Sequence, residues 1–228
     1  MMKSLKFIYK IFIKLSKIIS RKGIYPFLNI EFNKITSSKK VLTIGAGGEV
    51  NLLLNQYSKK NSFDLVSFDI EKNRQPDILG DICTFDFNEE KYDYVVIVEV
   101  LEHLHSPHLA ISNINGLLNK GGKIILTVPF IFPIHERPYD YYRYTKYGLE
   151  FLLKDFANLK IKERNSWLEA INVLFVRLVM DQNFISRVFA PFFLILAYIN
   201  FPFIWILSKI IRTDFITTGY LVTASKKM

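Results

Sequence analysis

The sequence predicts an α/β fold in which a largely parallel sheet is covered on both faces by helices. Three observations carry this expectation. Short, continuous apolar strands alternate with helical segments from residue 41 to residue 164, a glycine-rich turn directly follows the first strand, and the polar residues suited to a ligand fall at the carboxyl ends of strands.

The first 38 residues read as a basic arm. Residues 1–40 hold ten lysines and arginines against Glu31 alone, while basic and acidic side chains balance in the rest, so the whole net charge of +9 belongs to this end. Lys3, Lys6, Lys10, Lys14, Lys17 and Arg21 recur at spacings of 3, 4, 4, 3 and 4 and make one helical stripe. Phe7, Ile8, Ile11, Phe12, Leu15, Ile18 and Ile19 cover the opposite face. A helix of this kind lies in a lipid interface, where each lysine near an anionic leaflet contributes on the order of 1 kcal/mol. The alternative is a helix packed on the protein's own core with its lysines in water; the lack of acids favours lipid. Ile11 to Ile13 is the longest apolar run among these lysines, too short for a secretory signal. The neutral remainder lacks the basic footprint of a nucleic-acid binder. Cys83 is the sole cysteine, so no intrachain disulfide forms.

Residues 39–168 and 216–228 form the expected α/β domain. Val41 to Ile44 is a strand, Val50 to Gln56 a helix, Asp64 to Ile70 a strand and Tyr94 to Val98 a nearly all-β-branched strand. Leu109 to Leu118 is a helix, Lys123 to Val128 a strand, Tyr147 to Phe156 a helix, and Leu159 to Arg164 and Tyr220 to Ser225 are the closing strands.

Glycines at 45, 47 and 48 remove side chains that would hold a ligand off the backbone, and they turn the chain from strand into helix. Asp69 ends the second strand 24 residues after Gly45, a position suited to two ribose hydroxyls. Asp81 follows a third short strand or turn, where a carboxylate accepts from an adenine amine while Ile82 packs on the base. Each carboxylate alone could instead cap a loop, but the ordered set points to a nucleotide-type ligand.

The block Tyr92-Asp93-Tyr94-Val95-Val96-Ile97-Val98-Glu99-Val100-Leu101-Glu102-His103-Leu104, with Pro107, resembles the fourth-strand block of class I S-adenosylmethionine-dependent methyltransferases. Leu117-Leu118-Asn119-Lys120-Gly121-Gly122-Lys123 resembles the family's next turn. The resemblance covers about residues 39–160 and the closing strand. Pro129-Phe130, His135, Pro138, Tyr139-Asp140, Tyr142-Arg143-Tyr144-Thr145 and Gly148-Leu149 are further similar to a bacterial, type 11-like branch associated with surface-glycan clusters. It implies a Rossmann-like, doubly wound sheet of seven strands ending in an antiparallel hairpin, with S-adenosyl-L-methionine as cofactor. It further implies that Gly45, Ala46 and Gly47 cradle the cofactor's amino-acid part, that Asp69 binds the ribose, that Asp81 and Ile82 meet the adenine, and that Glu99 lies beneath the cofactor. Thr43 departs from the family pattern, which has an acid there, and brings no charge to the cofactor's ammonium group. An NAD-dependent dehydrogenase would share the glycine turn and Asp69 but not the block from Tyr92 to His103.

A sulfonium methyl is already electrophilic, so the protein must align an acceptor and, for a hydroxyl, supply a base. His135 and His103 are the candidates; each could instead order its loop or cap a helix. Leu104, Ser106 and Pro107 break the spacing of His103, His105 and His108, and no metal site is expected. Tyr139, Tyr142 and Arg143 suit a sugar ring and a phosphate, or form a lid in which Arg143 pairs with Asp140 or Glu136.

Residues 169–215 read as an apolar helical insert. Val188 to Ser208 carries no charge between Arg187 and Lys209, long enough to span a membrane, but Pro191 and Pro202 are expected to break it. A following strand in the same sheet excludes a single crossing. That leaves a broken hairpin dipping into one leaflet, or an apolar cap on the protein or a partner. The expected function is a methyltransferase on the cytoplasmic side of an inner membrane, O-methylating a glycan or lipid-linked acceptor. A lipid quinone acceptor, and a catalytically silent membrane scaffold motivated by Thr43, are the alternatives.

Overall fold

The computed structural model describes residues 2–211 and 213–228, and the side chains of Phe7 and of residues 9–211 and 213–228. Lys3, Lys6 and Ile8 of the expected arm therefore fall outside the described side chains. The chain forms two compact units. One comprises Phe27–Phe130, Ile134–Lys162 and Tyr220–Met228, the other Met1–Pro26, Ile131–Pro133 and Glu163–Gly219.

The first unit is built on a seven-stranded mixed sheet. Its strands are β1 (Lys40–Ile44), β2 (Asp64–Asp69), β3 (Ile78–Leu79), β4 (Tyr92–Val98), β5 (Leu118–Pro129), β6 (Phe156–Glu163) and β7 (Gly219–Lys226), in the order β3-β2-β1-β4-β5-β7-β6. β1 pairs in parallel with β2 and β4, β2 with β3, and β4 with β5. β7 runs against its neighbours. Lys226 Nζ at its end reaches the Leu118 carbonyl at the start of β5, and the Gly219 carbonyl at its start accepts from the Arg164 amide just past β6. The antiparallel ending is therefore present, and the fold is the Rossmann-like one implied by the resemblance.

Strands buried on both faces need apolar side chains in succession, and β1 and β4 have them: Val41, Leu42, Ile44, Val95, Val96 and Ile97 are buried. Helices α2 (Ile24–Asn33), α3 (Gly48–Asn61), α4 (Pro107–Leu117) and α5 (Lys146–Leu152) accompany the sheet in chain order. α4 buries Ala110, Ile111, Ile114 and Leu117, an i, i+4, i+7 stripe. Thr145 caps α5, its side-chain oxygen accepting from the Gly148 amide at 3.0 Å. α2 was not expected. Its Pro26 lies in the first turn, where the missing amide costs nothing, and Leu28 and Phe32 are fully buried.

The second unit contains α1 (Met2–Ser20), α6 (Trp167–Arg177) and α7 (Phe184–Ile210). Ile19, Val173, Val176, Leu194 and Ala197 form its core, with Phe12, Leu15 and Phe201 packed against them. The apolar face of α1 is therefore divided. Phe12, Leu15 and Ile19 pack on α6 and α7, whereas Phe7, Ile11 and Ile18 are exposed beside Lys10 and Lys14.

The expected broken hairpin is corrected: residues 184–210 form one continuous helix with Pro191 and Pro202 inside it. Each proline removes one donor from the ladder, a loss of about 3 kcal/mol in isolation. Packing of Ala190, Leu194, Ala197 and Ile204 on one stripe holds the helix together, and Asn183 caps its start by accepting from the amides of Ile185 and Ser186.

Leu42→Ala, at a fully buried site in the central strand, is expected to cost about 2 to 5 kcal/mol. A lower urea midpoint at unchanged slope is the result that checks it.

Candidate active site

The parallel register sets the site. Ile44 stands opposite both Phe68 and Ile97, so the residues that follow, Gly45, Asp69 and the end of β4, leave the sheet at one edge. Gly45 has φ +96, a conformation that side chains resist, and a Cβ there would stand 2.8 Å from Val100. Its amide donates to the Phe68 carbonyl at 2.9 Å. The Ala46 amide donates to Asp69 Oδ2 at 2.7 Å, and Asn51 Nδ2 closes the turn on the Ala46 carbonyl at 2.7 Å. Gly47 then caps α3, whose first amides lack partners within the helix, an arrangement suited to an anionic or carbonyl group.

Asp69 is only 4% exposed and already engaged. Oδ1 accepts from the Glu71 amide at 2.8 Å, and Oδ2 accepts from Arg74 Nη1 at 3.1 Å as well as from Ala46. The Arg74 side chain also runs beside Gly47, within 3.2 Å of where a Cβ would lie. A ribose that approaches Asp69 along this edge must displace that guanidinium.

Asp81 lies past β3 and is held by local bonds: Oδ1 accepts from the Cys83 amide at 2.9 Å, and His105 Nε2 is 3.0 Å from Oδ2. Burial opposes its ionisation, but these bonds outweigh it and hold the carboxyl below its ordinary value. Ile82 is corrected. Its side chain is 2% exposed in the main core, where an apolar residue gains more than on an open edge, so it does not offer a face to a base. Thr43 is likewise buried within β1, opposite Ser67 and Val96.

Glu99 follows β4 with φ +53, which is strained for a residue with a side chain. Its Oε1 accepts from Thr127 Oγ1 at 2.8 Å, so the carboxylate is turned back toward β5. Three residues further, in a short 3₁₀ turn over Leu101–His103, lies Glu102, which is fully buried and was not singled out from sequence. Its backbone carbonyl accepts from the amides of Tyr141 and Tyr142 and so pins the segment after β5 to this turn. Neither of its carboxylate oxygens has a hydrogen bond, while Nε2 of His103 and Nε2 of His135 stand 3.6 and 3.7 Å from Oε1. Burial pushes the Glu102 carboxyl above the usual range; the His135 imidazole opposes this and the charge of Glu99 adds to it.

The two histidines, 32 residues apart in sequence, meet edge to face with ring centroids 4.8 Å apart. His103 Nδ1 lies 2.8 Å from the Tyr139 carbonyl, which can only accept, so Nδ1 carries the proton. His135 is anchored by Asp140, whose Oδ2 accepts from the His135 amide at 2.9 Å and lies 3.2 Å from its Nδ1. Arg143 grips Asp140 in a two-pronged pair at 2.6 and 2.7 Å. Burial opposes ionisation of Asp140, but the Arg143 and His135 interactions prevail and lower it to about 2.

Arg143 is therefore spent on Asp140, as in the lid alternative. In this structure it braces Asp140 and, through it, His135. Tyr142 stacks on Tyr144 and donates to the His105 carbonyl, while Tyr139 is the most exposed of the expected substrate residues. His105 and His108 are drawn away from His103, the first to Asp81 and the second to the exposed start of α4.

A family model described as "Methyltransferase domain" matches residues 20–169. Among solved structures, the chain is similar to a phosphoethanolamine N-methyltransferase 2 of Haemonchus contortus in complex with S-adenosyl-L-methionine. Identity is 16%, covering 88% of this chain and 51% of that one, with a TM-score of 0.57. This chain thus spans about half of that enzyme's length. A coclaurine N-methyltransferase bound to N-methylheliamine and S-adenosylhomocysteine is 14% identical over 93% of this chain and 80% of its own, with a TM-score of 0.53. The [4+2]-cyclase SpnF is also similar, at 14% identity, 94% and 81% coverage and a TM-score of 0.58. These likenesses establish the fold. No curated protein matches the sequence.

Asp69→Ala is expected to weaken S-adenosylmethionine binding at least tenfold by isothermal titration, because it removes the acceptor that orders the Ala46 turn. Arg74→Ala is expected to leave the affinity unchanged or increase it, since it vacates Asp69.

Proposed function

The chain belongs to the class I S-adenosylmethionine-dependent methyltransferases, and we propose that it methylates a hydroxyl of a glycan or lipid-linked acceptor at a membrane surface, on the cytoplasmic side. In this reading Gly45, Ala46 and Gly47 cradle the cofactor's amino-acid part. Asp69 takes the ribose once Arg74 moves, Asp81 meets the adenine, and Glu99 closes the floor. Bound there, S-adenosylmethionine would supply an electrophilic methyl group to the acceptor oxygen, the sulfur keeping the electrons of the bond that breaks. The hydroxyl proton would pass to the polar cluster of His103, His135 and Glu102, in which both Nε2 atoms are turned toward the Glu102 carboxylate. Tyr139 and Tyr142 flank the acceptor.

The observation that carries the membrane part is the outer face of α7. The helix buries one narrow stripe and exposes Phe184, Phe189, Phe192, Ile195, Ile199 and Phe203, far more contiguous apolar surface than a water-facing helix tolerates. At 27 residues it is about 40 Å long and apolar enough to cross a membrane. A single crossing does not suit this topology, because β7 (Gly219–Lys226) follows α7 and enters the sheet between β5 and β6. Lying in one leaflet satisfies both facts. α1, packed in the same unit, contributes exposed Lys10 and Lys14 beside exposed Phe7, Ile11 and Ile18. Such a pairing of apolar and basic groups suits an anionic lipid surface.

Sedimentation with vesicles tests the location. The full chain is expected to pellet with vesicles containing anionic phospholipid, more weakly with zwitterionic ones, and Phe192→Glu together with Ile199→Glu should shift it to the supernatant. A chain that stays in the supernatant with both kinds of vesicle contradicts the membrane reading. For the acceptor, mass spectrometry of membrane lipids and glycans from cells with and without the protein should reveal a species heavier by about 14 daltons, one methylene's mass. A change confined to quinones would move the acceptor to that class, and no change would support a silent scaffold.

A further inference from the structure

We infer that Glu102, His103 and His135 form a binding site for a divalent cation of the zinc or manganese class. One atom of each, a Glu102 oxygen and an imidazole nitrogen of both histidines, lies within 4.8 Å of the others. The arrangement is poor as a hydrogen-bonded cluster. At 3.6 and 3.7 Å the Nε2–Oε1 separations are long for hydrogen bonds, so a fully buried carboxylate is held only loosely by the two imidazoles. Burying so weakly partnered a carboxylate is costly, and a cation shared by the three groups would compensate it.

The same arrangement is well suited to a cation. Donor atoms that share one ion at about 2.1 Å stand roughly 3 to 3.5 Å apart, so the three groups need only a small contraction. Each histidine is oriented from behind in the way metal-binding imidazoles are. His103 Nδ1 faces the Tyr139 carbonyl and His135 Nδ1 faces the Asp140 carboxylate, so the Nε2 edge of each ring is turned toward Glu102. Asp140 is itself fixed by Arg143, so the orienting shell is complete without the ion. Two imidazoles and one carboxylate leave coordination positions open, and the histidines remain partly exposed, which gives an ion and an acceptor oxygen a way in. The sequence spacing of His103, His105 and His108 argued against a metal. The ligand set found here skips His105 and His108 and draws on His135 through the fold.

Its role rests on the methyl-transfer reading, although cation binding does not. An acceptor hydroxyl on an open position would be held in line with the methyl group and would release its proton to water more readily, the histidines then holding the ion instead of the proton.

The test uses the full chain stripped with a chelator and dialysed. Titration with Mn²⁺ followed by electron paramagnetic resonance, and with Zn²⁺ by calorimetry, is expected to show one saturable site per chain. Glu102→Gln and His135→Gln should each weaken it at least tenfold, while S-adenosylmethionine binding stays within about twofold. Glu102→Gln should melt no lower than the stripped parent, which separates loss of a ligand from loss of fold. Absence of a saturable site in the parent, or equal affinity in both variants, overturns the inference. Cation binding without S-adenosylmethionine binding would sustain the site and overturn the methyltransferase role instead.

Discussion

The hydrogen bond from the Ala46 amide to Asp69 Oδ2 is the contact on which the order of the sheet's carboxyl edge depends. It joins the turn after β1 to the end of β2, two segments 23 residues apart in sequence, and it is possible only because β1 and β2 run parallel with Ile44 opposite Phe68. Charge-assisted and buried, it is of the stronger kind, on the order of 1.5 to 3 kcal/mol. With it in place the glycine turn is ordered before any ligand arrives. The first amides of α3, the Asp69 carboxylate and the strained end of β4 then form one edge without further rearrangement, apart from Arg74.

Glu102 plays the matching part beyond the end of β4. Its backbone carbonyl holds the segment carrying Tyr139 to Tyr144, and its carboxylate lies between the histidines brought from the ends of β4 and β5. A single buried residue therefore both positions a loop and places a carboxylate beside two imidazoles. The chain from Arg143 to Asp140 to His135 continues the same logic outward, each member being oriented by the one behind it. Chemistry that demands alignment more than activation is well served by such pre-ordered groups.

Much of this was legible in the sequence because local and global signals agree. The apolar runs at Val41 to Ile44 and Tyr94 to Val98, the glycines at 45 to 48 and the carboxylate at 69 each point to a parallel sheet with a ligand edge, and the register bears out the parallel sheet. What was not legible involves long-range partners. The pairing of Arg74 with Asp69 and the meeting of His103 with His135 depend on which ends of strands share an edge, and no local spacing reveals that. Glu102 lay inside a recognised block but has no periodic signature, since its distinction is burial. Ile82 read as a ligand contact because a residue beside an aspartate on an edge looks exposed, yet the core captured it. The prolines of α7 suggested a break, and tertiary packing along Ala190, Leu194 and Ala197 overrode them.

A crystal structure with S-adenosylhomocysteine bound measures the central claim most directly. The account predicts the ribose hydroxyls on Asp69 with Arg74 swung away, the amino-acid part against Gly45 to Gly47, and the thioether sulfur directed toward the space in front of His103 and His135. A nucleoside bound elsewhere, or a ribose held while Arg74 keeps its bond to Asp69, would contradict it.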